Sequence, residues 1–185
     1  MKKTPQAGTA ADAVAKVARK AAGKAAGEAL SRDIGQVDRR RIQVRRSSIH
    51  GKGVFALRHI PAGERIYDYK GQVITWPEAL RRHPHDPTQP DHTFYFSLGT
   101  KHVIDGNVGG NSSRYINHAC DSNCQADEIE GRVFISALRD LHPGEELFYD
   151  YGLVIDERHT AKVKKQYECR CGSPNCRRTM LAPRR

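Results

Sequence analysis

A mostly β domain, preceded by a basic arm and followed by a cysteine-bearing tail, is the architecture this sequence predicts. Three observations carry the prediction. Short runs of β-branched and aromatic residues recur between Arg41 and Tyr149, punctuated by Gly and Pro turns. Helix-period stretches of useful length are scarce beyond the first 40 residues. Near the end, Cys169, Cys171 and Cys176 form a C-x-C-x4-C pattern.

Residues 1–40 stand apart in composition. Ala fills eleven of the first thirty positions, interleaved with Lys16, Arg19, Lys20 and Lys24. With one Ile, one Leu and no aromatic, the stretch cannot bury a core. It is expected to be a disordered or transiently helical arm, and direct DNA contact through it is a candidate role.

The globular part starts near Arg41. Ile42, Val44 and Ile49 suggest a first strand, and Val54-Phe55-Ala56-Leu57 a second after Gly51-Lys52-Gly53. Ile66–Tyr69 and Gln72–Ile74 are strand candidates around Lys70-Gly71, and residues 76–82 fit a short helix. Residues 83–92 hold three Pro and three His, a loop composition. Phe94–Leu98 and His102–Asp105 form a hairpin pattern around Gly99-Thr100. Val133–Ala137 and Glu146–Tyr149 are the late strands, separated by His142-Pro143-Gly144. Residues 156–166 are polar and are expected to be mobile.

Composition and charge limit the function classes. Nothing approaches ~18 consecutive apolar residues, so no membrane span is expected. The formal net charge of +10 favours an anionic partner or environment. No G-x-G-x-x-G, P-loop, G-x-S-x-G or H-E-x-x-H pattern is present. Lys2 and Lys3 are followed by no apolar stretch, so a secretory signal is not expected, and a reduced, metal-binding cysteine set is favoured over disulfides. Cys120 or Cys124, joined to Cys169, Cys171 and Cys176, would complete a tetrahedral structural zinc site. Gly172-Ser173-Pro174-Asn175 between the last two ligands has the composition of a tight turn.

Two further clusters remain. Asn111 to Cys124 packs Arg114, Asn117, His118 and two Cys into one short stretch. In Glu145-Glu146-Leu147-Phe148-Tyr149-Asp150-Tyr151, two Tyr at i, i+2 would share one face of a strand and could line a narrow polar channel.

Taken in order, Gly51-Lys52-Gly53-Val54-Phe55-Ala56, Tyr69-Lys70-Gly71, Arg114-Tyr115-Ile116-Asn117-His118-Ala119-Cys120, Glu145–Tyr151 and the C-x-C-x4-C tail resemble a SET-domain protein lysine methyltransferase with a post-SET zinc segment. The resemblance covers roughly residues 41–180, without a cysteine-rich pre-SET region ahead of it. It implies small curled β-sheets around a knot-like core, in which the segment ending at Tyr151 threads the one holding Asn117-His118. The implied division is an arm over 1–40, a SET domain over 41–155, and a linker with the post-SET zinc segment over 156–185.

The resemblance also implies S-adenosylmethionine as methyl donor and one structural zinc. By motif position, Lys52, Gly53, Val54, Arg114, Asn117 and His118 would hold the donor. Phe94 falls where many members carry a Tyr near it. Tyr151 would be the principal catalytic tyrosine, Tyr69 would line the lysine channel, and Tyr149 sits at the family's Phe/Tyr position that sets methylation degree, here implying mainly monomethylation. Cys120 matches the family's core zinc ligand, which leaves Cys124 as the spare thiol. A histone or other basic chromatin-associated protein is the implied substrate. The implied location is nuclear chromatin in a eukaryote, or the cytoplasm and nucleoid in a bacterium, with export to a host nucleus as a variant.

A +10 chain repels a basic tail unless carboxylates gather at the groove. Asp86, Asp91, Asp121, Asp127, Glu128 and Glu130 are candidates, with 127–130 the densest group. Two rival readings stand beside the enzyme: a non-enzymatic SET-like scaffold that binds DNA or a histone-like protein, and a zinc-dependent structural DNA-binding protein.

Overall fold

The computed structural model describes residues 41–83, 93–99 and 101–183. The basic arm and most of the Pro/His-rich loop lie outside them. Ten strands, two short helices and a 3-10 turn make up the described chain. In order they are β1 (Ile42–Arg46), β2 (Lys52–Ala56), β3 (Arg65–Asp68), β4 (Gln72–Thr75), α1 (Trp76–Arg82), β5 (Tyr95–Leu98), β6 (His102–Asp105), the turn Ser112–Tyr115, β7 (Asn117–His118), β8 (Cys124–Ile129), β9 (Arg132–Ala137), β10 (Phe148–Tyr149) and α2 (Ala161–Gln166).

Three small sheets form. β1 pairs antiparallel with β2, with Val44 opposite Val54. β4, β6 and β5 make a three-stranded antiparallel sheet in that order. The third sheet runs β3-β9-β8-β10-β7. The β8–β9 hairpin turns on Glu130 and Gly131, both at positive φ (51° and 72°). That is the two-residue turn whose twist matches paired strands.

β10 fixes the topology of the candidate site. It runs parallel to β7, with Phe148 opposite Asn117 and Tyr149 opposite His118, and Tyr149 also pairs with Cys124 of β8. β7 and β8 are consecutive in the chain, yet β10 lies between them. The 119–123 connection therefore passes around an inserted strand, which is the physical content of a knot-like core. Asn123 secures the crossing: its side chain donates to Glu146 O (2.8 Å) and accepts from Phe148 N (2.8 Å).

The core beneath is aliphatic. Val54, Ala56, Ile60, Ile66, Ile116, Val133, Ile135, Leu141 and Leu147 are fully or nearly fully buried and packed in one cluster. A second cluster of Leu153, Val163, Tyr167 and Leu181 belongs to the C-terminal segment. It is pinned to the domain by Leu153 N to Met180 O (3.1 Å) and Ala182 N to Leu153 O (2.8 Å).

The structure departs from sequence expectation at several places. Residues 161–166 are helical, where mobility was expected; Thr160 caps the helix by accepting from Val163 N (3.3 Å). The first strand stops at Arg46, short of Ile49, and the last one is two residues, Glu146 forming instead an isolated antiparallel bridge with Phe55 and Leu147 being buried in the core. β7 and β8 were not anticipated. β8 (CQADEI) has no clean alternation, and its burial falls steadily toward the hairpin tip.

Gly110 shows how tightly the turn beside the tyrosines is wound. A Cβ there would sit 2.8 Å from the carbonyl carbon of Gly106 and closer still to its oxygen. Backbone, not a flexible side chain, would have to yield. Gly110→Ala is therefore expected to cost about 3 kcal/mol and to lower Tm by roughly 10 °C in calorimetry. A variant melting with the wild type would refute this packing.

Candidate active site

Three phenols gather where β3, β10 and the turn at 112–116 meet. Tyr69 follows β3 and Tyr149 lies on β10, and both are buried. Tyr151, two residues on, is partly exposed. The Tyr149 and Tyr151 rings are 4.9 Å apart between centroids, and Phe96 bridges Tyr69 (5.4 Å) and Tyr149 (6.2 Å). Tyr151 Oη donates to Ile116 O (2.9 Å), and Tyr69 Oη donates to Phe94 O (3.1 Å).

Burial first, and then proximity to one another, raises the pKa of Tyr69 and Tyr149 well above the usual phenol. Burial and the nearby Glu146 carboxylate do the same for Tyr151. All three stay protonated at any working pH, so they are dipoles and hydrogen-bond partners rather than bases.

The second part is the loop between β1 and β2. Asn117 Nδ2 donates to three acceptors, Glu146 Oε1 (2.9 Å), Lys52 O (3.0 Å) and His50 O (3.3 Å). Lys52 Nζ sits 5.0 Å from the Tyr115 ring. Arg114 stacks on Tyr115 (4.8 Å) and Phe94 (5.6 Å), donates to Gly106 O (2.8 Å), and keeps a buried Nε without a hydrogen-bond partner among the described residues. Gly53 and Val54 are buried beneath this loop.

The His118 ring lies between Tyr151 and Cys120. Its Nδ1 accepts from Tyr151 N (3.1 Å) and Nε2 lies 3.5 Å from Cys120 Sγ. Burial lowers its pKa to about 4, against the opposing pull of Asp150. The ring is therefore a neutral link between the Tyr151 backbone and the cysteines.

Those cysteines form the third part. The Sγ atoms of Cys120, Cys169, Cys171 and Cys176 all lie within 4.8 Å of one another. Cys120 Sγ is 3.6 Å from Cys169 Sγ and 3.9 Å from Cys176 Sγ. Tetrahedral thiolates at about 2.3 Å from a zinc would be about 3.8 Å apart, so the set fits such an ion.

The surroundings differ among the thiols: burial holds Cys120 and Cys169 above the usual thiol range, while backbone donors reach three of the sulfurs. Cys171 N donates to Cys169 Sγ (3.4 Å), Arg177 N to Cys120 Sγ (3.4 Å) and Arg178 N to Cys176 Sγ (3.3 Å). Burial works against ionisation of Cys171, but backbone N–H groups of Cys120 and Ser173 and the neighbouring thiols outweigh it and bring its pKa to about 7. Cys124 is fully buried in β8, and desolvation pushes its thiol up to about 12.

Several residues at the site escaped sequence reasoning: Ser47, Glu146, Asp150 and Arg177. Arg177 closes on Asp150 through two bonds (2.7 and 2.8 Å), tying the residue after Cys176 to the one before Tyr151. An arginine abutting the last cysteine was the available signal. Asp121, Asp127, Glu128 and Glu130 are described, the last three on the β8–β9 hairpin. Asp86 and Asp91 lie outside the described residues. No helix among the described residues is long and apolar enough to cross a membrane.

Comparison with known proteins places this geometry. The SET domain family matches residues 51–152. Histone-lysine N-methyltransferase 2B of Homo sapiens is 34% identical over 151 residues, covering 80% of this chain and 5% of the relative. The H3 lysine-4 specific histone-lysine N-methyltransferase of Saccharomyces cerevisiae is 36% identical over 151 residues, covering 78% of this chain and 14% of the relative. Among solved structures, Chaetomium thermophilum polycomb repressive complex 2 is similar with a TM-score of 0.57 at 31% identity, over 63% of this chain and 16% of that one. A polycomb repressive complex 2 in an autoinhibited conformation bound to S-adenosylmethionine gives a TM-score of 0.56 at 32% identity, over 61% and 15%. The chain thus spans a small fraction of the length of these relatives. Its mostly β fold, its threaded strand and its matched residues establish that the chain belongs to the SET domain family.

Proposed function

We propose that this protein is an S-adenosylmethionine-dependent protein lysine N-methyltransferase that acts on a histone or another basic chromatin-associated protein and mainly monomethylates it. The observation that carries the reading is the convergence of three protonated phenols, Tyr69, Tyr149 and Tyr151, beside the Asn117-anchored loop. Positioned hydroxyls suit alkyl transfer to an amine.

The residues fit the donor. Lys52 and Arg114, with its spare buried Nε, match a carboxylate; the Tyr115 and Phe94 rings match an aromatic base. Asn117 spends its amide N–H groups on the loop and Glu146, leaving Oδ1 as an acceptor for an ammonium. When bound, the donor supplies a methyl on a cationic sulfur, open to in-line attack.

The protein's part is to deliver a neutral amine. A lysine ammonium, with an ordinary pKa near 10.4, has no lone pair to offer. The buried rings of Tyr69, Tyr149 and Phe96 disfavour a second charge beside a cation, so the proton leaves to water before attack. Tyr151 and Tyr69 commit their protons to Ile116 O and Phe94 O, which leaves their oxygen lone pairs free to orient the amine and face developing positive charge. Alignment then supplies much of the rate. Cys120, Cys169, Cys171 and Cys176 would hold a zinc as a structural staple, with no part in the transfer.

DNA contact through the basic arm over 1–40 is a candidate further role, carried by its composition alone. The location is accordingly chromatin, nuclear in a eukaryote and nucleoid in a bacterium.

The test is transfer of labelled methyl from S-adenosylmethionine to a panel of histones and basic proteins, with His118→Ala as a control expected to fail. No transfer and no donor binding by zinc-loaded, folded protein would return the reading to a binding scaffold. Tyr149→Phe bears on product degree. Removing the Tyr149 hydroxyl frees room for a methylated amine, so mass spectrometry should show a shift from mono- toward di- and trimethyl-lysine. Trimethyl-lysine as the main product of the unaltered enzyme would overturn the monomethylation assignment.

A further inference from the structure

The carboxylate of Glu146 occupies the point where three parts of the donor-side structure meet. Its Oε2 accepts from Ser47 Oγ (3.0 Å), at the end of the β1 segment. Its Oε1 accepts from Asn117 Nδ2 (2.9 Å), on β7. Gly53 of β2 lies so close that a Cβ there would stand 2.7 Å from Glu146 Cδ. Ser47 in turn accepts from Ile49 N (3.0 Å), and Ser47 N donates to Gly51 O (3.0 Å), which closes the loop on itself.

An asparagine amide has two faces that differ only by a flip. Here every neighbour of one side is an acceptor: two carbonyls and a carboxylate. Flipped, Oδ1 would meet three oxygens and no donor. Of the three, only the carboxylate carries a full charge, so it does most to fix the orientation. The orientation so enforced is the one that turns Oδ1 away from the loop and leaves it free to accept.

We infer that Glu146 is a positioning residue for the methyl donor, acting through Asn117 and the 47–53 loop rather than by touching the reacting atoms. The inference rests on the methyltransferase reading for its ligand, and on hydrogen bonds alone for the loop. Glu146→Gln keeps the shape and one acceptor, and its amide can donate to Ser47 Oγ, whose hydroxyl has spare lone pairs. Glu146→Ala removes both carboxylate acceptors and leaves the Asn117 amide held by the two backbone carbonyls alone.

Three measurements on the full chain, zinc-loaded, test it. Calorimetry with S-adenosylmethionine should give Glu146→Ala a Kd raised about tenfold or more, the effect of losing one charge-assisted hydrogen bond. Glu146→Gln should stay within about threefold of wild type, and in turnover the loss in Glu146→Ala should fall mainly on KM for the donor. Hydrogen exchange without any donor should show faster exchange across residues 47–53 in Glu146→Ala, with protection of the buried core around Val133 and Ile135 retained. Wild-type donor affinity in Glu146→Ala, or wild-type protection of the loop, overturns the inference. A wild-type protein that binds no S-adenosylmethionine overturns the donor reading and the ligand half of this inference with it, while the exchange data still decide whether Glu146 orders the loop.

Discussion

Tyr151→Phe is expected to lower kcat for methyl transfer by about 10²–10³-fold, the scale of losing one preorganised polar group at a reacting centre. Donor affinity should hardly change. The substitution removes a single oxygen, which in the resting structure donates to Ile116 O at 2.9 Å. With its proton so committed, the hydroxyl presents lone pairs to whatever enters between Tyr69 and Tyr149. Burial and the Glu146 carboxylate keep it protonated, so its part is orientation and electrostatics, not base catalysis. A phenylalanine preserves the ring contacts to Tyr149 (4.9 Å) and His118 (5.3 Å). The stability cost is one unpaired carbonyl, about 1 kcal/mol, or a Tm shift of a few degrees. Single-turnover kinetics with calorimetric donor binding separates these outcomes. Full activity in Tyr151→Phe would move the orienting role to Tyr69 or Tyr149.

That such a residue could be named from sequence, while Glu146 could not, has a physical cause. Strands with strong local patterns were legible: the Phe94–Asp105 hairpin forms with Tyr95 opposite Asp105, and Val133–Ala137 becomes β9. So was the C-x-C-x4-C spacing, because a metal site needs particular atoms at short range. The insertion of β10 between β7 and β8 leaves no local trace, since it is set by pairing across about 30 residues and by Asn123 bonding to both Glu146 and Phe148. Here the threading implied by family resemblance supplied what periodicity could not. Glu146 entered only as the start of a strand candidate and as part of a motif, and only the fold separates it from its neighbour: Glu145 faces Arg139 (2.9 Å), while Glu146 turns under the 47–53 loop. His118 is a donor-side residue by motif, and only the fold reveals that its ring also connects Tyr151 to Cys120.

That connection sets the second large effect. Stripping the metal with a chelator, or replacing Cys169 by Ser, is expected to reduce transfer at least 100-fold while the central sheets stay folded. Three routes lead from the cysteines to the tyrosines. Cys120 lies beside His118 Nε2, whose other nitrogen accepts from Tyr151 N. Arg177 follows Cys176 and holds Asp150 through two bonds. Leu153, two residues beyond Tyr151, pairs with the segment at Met180–Ala182. Loss of the ion leaves four thiols crowded together with no charge to organise them, and the first two routes slacken. The third persists, because Leu153, Val163, Tyr167 and Leu181 bury apolar surface, each large side chain giving about 1.5–3 kcal/mol. The free energy of ion binding, about 10 kcal/mol or more at sites of this kind, is therefore lost from the C-terminal segment rather than from the whole domain. Hydrogen exchange should rise at Tyr151 and across residues 169–178 and stay slow in β9 and at Leu153 and Ala182, and zinc should restore both protection and activity to the chelated wild type but not to Cys169→Ser. Activity that survives metal removal would show that Tyr151 is held by the sheet alone, and the Arg177–Asp150 pair would then be only a surface clasp.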